Sequence, residues 1–560
     1  SAICAGMKGI GFWKRTGFDI DAPGAREREL AIAIVNQEIS LLEPWLATHS
    51  VVEYQPVPIR SAEIVTSTRP QDRRLIVTSR ARELREDAQN QAARKNNSTQ
   101  PTPAVGPDHV EMAIISGPNG QLLIPLWYQE GSQFVPGQMT TSRLEITIPG
   151  IQDTATIWEV STTQVRSLPK RAGPGGARIV LENFDQVAAL MISTDPNWGR
   201  ILRQQIEQIR ERSASLWMQL AAEKLSRVKR VDQELQRLGA GLPDSVRLLQ
   251  QADTLMALAQ KGFPKPDSEP TDVLTAGYTP GGASYHNIRI WSAAAMRALR
   301  ILQRAHWDQA IRGQSSPLSS PWTVSFNTLP DHWRFMRQAG SLRAMDTGSD
   351  SGSGSNLLPT GSFENTDTAQ MIKDGWQHSQ GDLPGIRASA ELTQLRGDSG
   401  SSLRLIAIPD PNQEIPVSLS GTPISIRTPP VSLRAGDIVR ITGRVRVPAP
   451  AVGSLEGVSL YESLSGSRLH WKQTRGWWNF ELLREVSADS ELTLKLTLHG
   501  LGEARFDDLR VVAWNPLAAG LQNGIQQTGG SLPGPIKPPS GDDRGGLGGL
   551  DFLRGFRRVP

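Results

Sequence analysis

Four aromatic residues, Tyr461, Trp471, Trp477 and Trp478, cluster in the last third of the chain. Flat aromatic faces can stack on the apolar faces of pyranose rings, with polar groups at the rim engaging the hydroxyls. Trp477 and Trp478 are adjacent, so on a strand they point to opposite faces and at most one is core. The alternative for each aromatic is a place in the hydrophobic core. Just upstream, Val439, Ile441, Val445 and Val447 share one face of an alternating run, and Arg440, Thr442, Arg444 and Arg446 share the other. That row of guanidiniums would suit uronate or sulfate groups through bidentate contacts. Ordinary solvated sheet surface is the alternative reading.

Catalytic chemistry is harder to place. Cleavage of a glycosidic bond usually takes two carboxylates, about 5 Å apart in retaining enzymes and up to about 9 Å in inverting ones. Glu27 and Glu29 start a helix, and Asp19 and Asp21 lie in a loop where turn formation accounts for them. No Gly-rich phosphate loop, nucleophile elbow or zinc-type histidine pair is present. His286 and His306 have no partner at metal-ligand spacing. No catalytic residue is assigned, and the chain is expected to bind rather than to hydrolyse.

The elements that position the aromatics are short strands. Ser402 to Ile408, Ile438 to Val447, Val458 to Tyr461, Phe480 to Val486, Glu491 to Leu498 and Ala504 to Val512 alternate between Gly, Pro, Ser and Asp turns. Such a series without helical period predicts a two-sheet β jelly roll over 356–515. Upstream, residues 51–195 read as an antiparallel β-sandwich with a charged helical insertion over 80–95. Residues 196–314 carry three helical stripes, a small α-helical bundle whose Met and aromatic residues form its core. An extended clasp and a Gly/Ser linker fill 315–355, and the Gly/Pro-rich tail 516–560 has too little to bury and is expected to be disordered. At the start, Ala2 to Trp13 reads as a buried strand and Ala25 to Ala47 as an amphipathic helix.

Two resemblances follow. The opening Asn356 to Asn365 (NLLPTGSFEN), the following Gly375-Trp376 and the closing Ala504 to Val511 (ARFDDLRV) resemble the family 4, 9 and 22 carbohydrate-binding modules. That resemblance implies polysaccharide binding and a structural calcium joining the first strand to the last, through Glu364 and Asp507 or Asp508. Calcium takes hard oxygen ligands, and it would relieve the repulsion of carboxylates brought together. The alternative is that Glu364 caps a turn and the two aspartates are solvated. Residues 1–50, a glycine-bearing strand, a loop and a helix, resemble the last strand and helix of a glycoside-hydrolase (β/α)8 barrel that ends in a β-domain. In that setting Trp13 would form the floor of a sugar subsite; plugging the barrel rim is its other reading. The resemblance puts the barrel's catalytic strands upstream of this chain.

The expectation is therefore a multidomain chain: barrel-end remnant, antiparallel β-sandwich, three-helix bundle, jelly roll and tail. Its 560 residues suffice for several cores. The net charge of +4 is spread among acids rather than massed, which excludes a nucleic-acid footprint. No apolar run is long enough for a membrane helix. The lone Cys4 excludes an internal disulfide framework. Ser1 opens the chain with no leader pattern ahead of it, as expected of a processed chain or a fragment. Partner and location follow from the resemblances: a polysaccharide, an acidic one if the arginine row is open, met in a secreted or cell-envelope setting. The rival expectation is a structural or adhesive envelope protein in which bundle and β-domains serve assembly.

Overall fold

The computed structural model describes residues 24–48, 50–57, 108–118, 120–129, 132–137, 140–263, 282–346, 355–395, 400–411 and 418–515. The expected strand Ala2 to Trp13, the insertion 80–95 and the tail 516–560 lie outside them. Helix α1 (Ala25–Thr48) does form where the sequence places it, and buries Leu30, Ile34, Leu41 and Trp45. It packs on the β-domain that follows and on the next helix, with Trp45 and Trp198 ring centroids 5.2 Å apart.

That β-domain is an antiparallel sandwich. One sheet has the order β1-β2-β3-β9-β5-β6, made of β1 (Ser50–Val57), β2 (Asp108–Gly117), β3 (Gly120–Gln129), β5 (Thr156–Ser161), β6 (Gln164–Leu168) and β9 (Ala189–Ser193). The other is β4-β8-β7, from β4 (Thr140–Ile148), β7 (Arg171–Gly173) and β8 (Gly176–Asp185). Strand β2 shows why its sequence is apolar on both parities. Val110, Met112 and Ile114 face the second sheet, while Ala113 and Ile115 face the helices.

The long helix α2 (Asn197–Arg237) first covers that outer face with Leu202 and Ile206. Further on, Leu225, Val228, Val231 and Leu235 pack on α3 (Ser245–Lys261) and α4 (Gly282–Ala310). A buried carboxylate ties the three together. Asp232 accepts from Ser245 Oγ (2.7 Å) and Gln236 Nε2 (2.6 Å), and lies 2.9 Å from His306 Nε2.

The expected extended clasp is corrected in its second half. Residues 315–325 do run as turns, but a 3-10 turn (Phe326–Thr328) leads into helix α5 (Leu329–Asp346). Pro330 stands at the start of that helix, where a missing N–H costs nothing, and Asp331 suits its positive end. The bundle thus gains a fourth helix. Phe335 and Ala339 of α5 pack against Ile438, Leu483 and Val512 of the C-terminal domain.

The C-terminal domain is a sandwich of two five-stranded antiparallel sheets, as a jelly roll requires. One runs β10-β13-β20-β16-β17, from β10 (Gln377–Gln380), β13 (Ile424–Arg427), β16 (Val458–Glu462), β17 (Arg468–Trp471) and β20 (Leu494–Leu498). The other runs β11-β12-β21-β15-β18, from β11 (Ile386–Gln394), β12 (Ser401–Pro409), β15 (Ile438–Arg446), β18 (Trp478–Glu485) and β21 (Gly502–Trp514), and a short antiparallel pair joins β14 (Val431–Leu433) to β19 (Ser490–Leu492). The opening and closing motifs meet. Asn356 bonds the backbone of both Leu509 and Val511, at 2.9 Å each. Gly361 is required there, since a Cβ would fall 2.3 Å from the Leu509 carbonyl oxygen. Trp376 closes the loop with its indole N–H on Thr360 Oγ1 (2.9 Å).

Strands β17 and β18 are the free edges of the two sheets on one side. The clasp covers β18: Glu481 N donates to Ser315 Oγ (2.8 Å) and Leu483 N to the Ser319 carbonyl (2.7 Å). Arg484, 2% exposed, turns inward to Glu462, 0% exposed, on the opposite sheet (2.9 Å). The remaining guanidinium protons reach the carbonyls of Leu318 and Ser319. Burial alone would raise the Glu462 carboxyl, but Arg484 and Ser465 outweigh it and hold it below its ordinary value. Its contribution to stability is then present above the unfolded-state pKa of about 4.3 and lost as pH falls through the folded value. Removing one partner leaves a buried charge alone, so Glu462→Gln is expected to cost about 3 kcal/mol. The double change Glu462→Gln, Arg484→Met is expected to recover most of it. Urea unfolding at pH 7 and at pH 3.5 checks both, with the Glu462→Gln deficit shrinking at the lower pH.

Candidate functional site

The structure sorts the candidate aromatics by sheet and face. Trp471 ends β17 and Trp478 begins β18, so the loop 472–477 carries the chain from the edge of one sheet to the edge of the other. Thr474 pins that loop, accepting from Val447 N (2.9 Å) and donating to the Gly476 carbonyl (2.7 Å). Trp471 is half-buried, backed by Phe480 (5.5 Å) and Phe506 (6.3 Å). Trp478 is 49% exposed. Trp477 points the other way, under the Arg444 guanidinium (4.9 Å to the ring centroid).

Trp471 and Trp478 share a cleft of about 560 Å³ at this open side of the sandwich. Its opposite wall comes from the bundle. Arg304 and Trp307 of α4 supply it, with the guanidinium over the indole at 4.3 Å. Arg304 is held by Asp308 (2.9 Å) and the Val135 carbonyl (3.1 Å), and Phe134 stacks on Trp307 at 6.3 Å. Arg468 and His470 of β17 complete the rim. Among the described residues, no carboxylate lines the cleft. The arrangement offers two indole faces, guanidinium and imidazole donors, and an apolar floor of Leu318, Leu469 and Phe480, which suits a ring with both apolar and hydroxyl-bearing surface.

Tyr461 does not join them. It sits on the outward face of the β10-β13-β20-β16-β17 sheet, opposite Arg468 and Lys495. The neighbouring Ser425, Thr497 and Ser459 are buried rather than presented at the surface, the last 2.8 Å from His499 Nε2. Because Arg468 and His470 belong to both the cleft rim and this face, the two surfaces are continuous around β17.

The arginine row does not stand open as expected. Arg440 pairs with Glu481 (2.8 Å) and Arg444 with Asp507 (2.6 Å) and Asp508 (3.0 Å). Antiparallel pairing explains it, since β18 and β21 set carboxylates directly beside these strand positions. Arg446 is half-buried, opposite Arg505. Trp13 lies outside the described residues.

The calcium expectation rests on Glu364, Asp507 and Asp508. Glu364 Oε1 accepts from Ser401 N (3.1 Å), and Asp507, 2% exposed, takes two bonds from Arg444. Burial pushes the Asp507 carboxyl up, and Arg444 offsets this in part. Within the chain, Arg444 supplies countercharge to both aspartates. Among the described residues, no three metal-ligating side chains gather.

Arg304, Phe134 and His470 went unassigned in the sequence, while Trp307, expected in the bundle core, is buried there. The one local signal is Arg304 three residues before Trp307 on a helix, the spacing at which a guanidinium reaches a ring.

No protein-family model matches the chain, and no curated protein matches it. Among solved structures, it is similar to one described as "CBM4 structure and function", at 16% identity over 28% of this chain and 99% of that one, TM-score 0.21. It is also similar to the CBM22-1 xylan-binding domain from Paenibacillus barcinonensis Xyn10C, at 15% identity over 30% and 98%, TM-score 0.19. A third is a family 16 carbohydrate binding module, at 14% identity over 28% and 99%, TM-score 0.19.

The Arg444 pairing predicts that chelator leaves the melting temperature of the chain unchanged, while Arg444→Gln destabilises it by about 2 kcal/mol through the stranded Asp507. Thermal melts with and without EDTA check this. A fall with chelator would put an ion beside Arg444 at these carboxylates.

Proposed function

We propose that the chain binds polysaccharide, in the cleft between the jelly-roll edge and the helical bundle. The observation that carries this reading is Trp478, half exposed at the mouth of a cleft with Trp471 beside it. An exposed indole is a large apolar surface left in water, and stacking a sugar on it recovers about 25 cal/mol per Å² covered. The module resemblance at Asn356–Asn365 and Ala504–Val511 points the same way. Arg304, Arg468 and His470 line the cleft, the arginines paired outside it with Asp308 and Glu456, and their positive side faces inward, which favours an acidic glycan such as a uronate-bearing chain. A sugar chain longer than the cleft would continue around β17 toward Tyr461 and Lys495.

The glycosidase-like parent belongs to the same proposal and rests on the resemblance of residues 1–50. In that setting the module holds the polymer near catalytic strands supplied from upstream, outside the cytoplasm.

Affinity electrophoresis of the full chain on gels with uronate-bearing and neutral polysaccharides tests the reading. Retardation is expected, stronger for the acidic polymer. Trp478→Ala is expected to weaken binding about tenfold, equivalent to about 1.4 kcal/mol. Trp477→Ala, on the far side of the sheet, is expected to leave it unchanged. No retardation of the wild type on any polymer would contradict the proposal.

A further inference from the structure

Far from the jelly roll, two cavities meet at one arginine. A polar cleft of about 530 Å³ lies between α4 and the sandwich strands β5, β6 and β8. An apolar groove of about 230 Å³ lies between α1 and the sheet at β3, β5 and β9. Arg289, Glu159 and Val187 line both.

Arg289 is held in place rather than neutralised. Its Nε–H donates to Thr163 Oγ1 (3.1 Å), and the guanidinium lies over Trp217 (5.7 Å to the centroid). Thr163 is oriented in turn by His286, whose Nδ1 lies 3.2 Å from the hydroxyl. Burial pushes His286 down to about 4, with Arg289 and Arg166 adding to the shift, so the ring is neutral at pH 7. A neutral ring protonated at Nε2 accepts the Thr163 proton at Nδ1, which leaves the Thr163 lone pairs to the arginine.

The carboxylates nearby are used elsewhere. Glu159 is bound by Arg166 (2.6 Å), and Asp185 by Arg297 (3.4 Å) and Arg300. Glu38, at the edge of the groove, acts on Arg289 by charge without an ion pair, and its burial raises its own pKa. Among the described residues, Arg289 therefore has a positioned guanidinium in a cavity and no carboxylate in contact. A cation so placed selects an anion, and a planar carboxylate matches its fork. The adjoining groove carries Glu38 and Glu159 at its Arg289 end, the first with its carboxyl pushed up by burial and the second bound by Arg166, while Val35, Leu42, Leu46 and Leu126 make the rest apolar and select apolar bulk.

We infer that Arg289 anchors a carboxylate-bearing apolar ligand, its head group on the guanidinium and its aliphatic body in the groove between α1 and the sandwich. This site is independent of the sugar cleft.

Calorimetric titration of the full chain with sodium octanoate, and with the uncharged octanamide, tests the assignment. Octanoate is expected to bind and octanamide at least tenfold more weakly. Arg289→Gln is expected to weaken octanoate at least tenfold and leave octanamide unchanged. Val187→Trp, at an exposed position where an indole can fill the junction without disturbing the core, is expected to weaken both. Equal binding of the two ligands by the wild type, undiminished octanoate binding by Arg289→Gln, or no octanoate binding by the wild type overturns the assignment.

Discussion

A β-strand at the edge of a sheet presents unpaired backbone groups, and a two-sheet sandwich has such edges on both sides. In the jelly roll, that constraint falls on β17 and β18. The clasp meets it at β18, where Ser315 and Ser319 take up the N–H groups of Glu481 and Leu483. Arg484 fastens the arrangement from inside, spanning from Glu462 on the opposite sheet to the clasp carbonyls. Because the clasp is the direct continuation of α4, covering this edge brings the end of that helix against the sandwich. The cleft is the space left between them, and it exists only because the edge is covered by a neighbouring domain.

This arrangement divides the labour among the charges. Arginines on the sheet face, Arg440 and Arg444, are spent on carboxylates of adjacent strands and stabilise the sheet. The arginines at the cleft, Arg304 and Arg468, come from an α-helix and an edge strand and pair with Asp308 and Glu456 rather than with carboxylates of adjacent strands. Edges and domain junctions are where polar side chains escape pairing within a sheet. Arg289, between α4 and the sandwich, follows the same rule.

Much of the fold was legible in the sequence because period and punctuation are local. Alternating runs bounded by Gly and Pro turns marked both sandwiches, and the stripes of α2, α3 and α4 marked the bundle. The opening and closing motifs pointed to one another, and Asn356 does bond the backbone of Leu509 and Val511. Helix α5 was missed because Pro317 and Pro321 suggested an extended run through 315–343, whereas both lie before the helix and Pro330 sits where a helix accepts proline. Adjacency separated Trp477 from Trp478, but not which of them would be covered; that depended on Arg444 lying over one ring. The wall formed by Arg304 and Trp307 was out of reach, since it depends on how two domains dock. A one-dimensional pattern carries periodicity within an element, not the pairing of surfaces between elements.

The central claim is that sugar is held at the jelly-roll edge against the bundle, not on the open sheet face alone. Hydrogen exchange of the full chain, with and without a saturating acidic oligosaccharide, measures this directly. The account predicts slowed exchange in 468–480 together with 304–318, on both sides of the cleft. Protection confined to the sheet face around Ser425, Ser459 and Thr497, with none in 304–318, would contradict it.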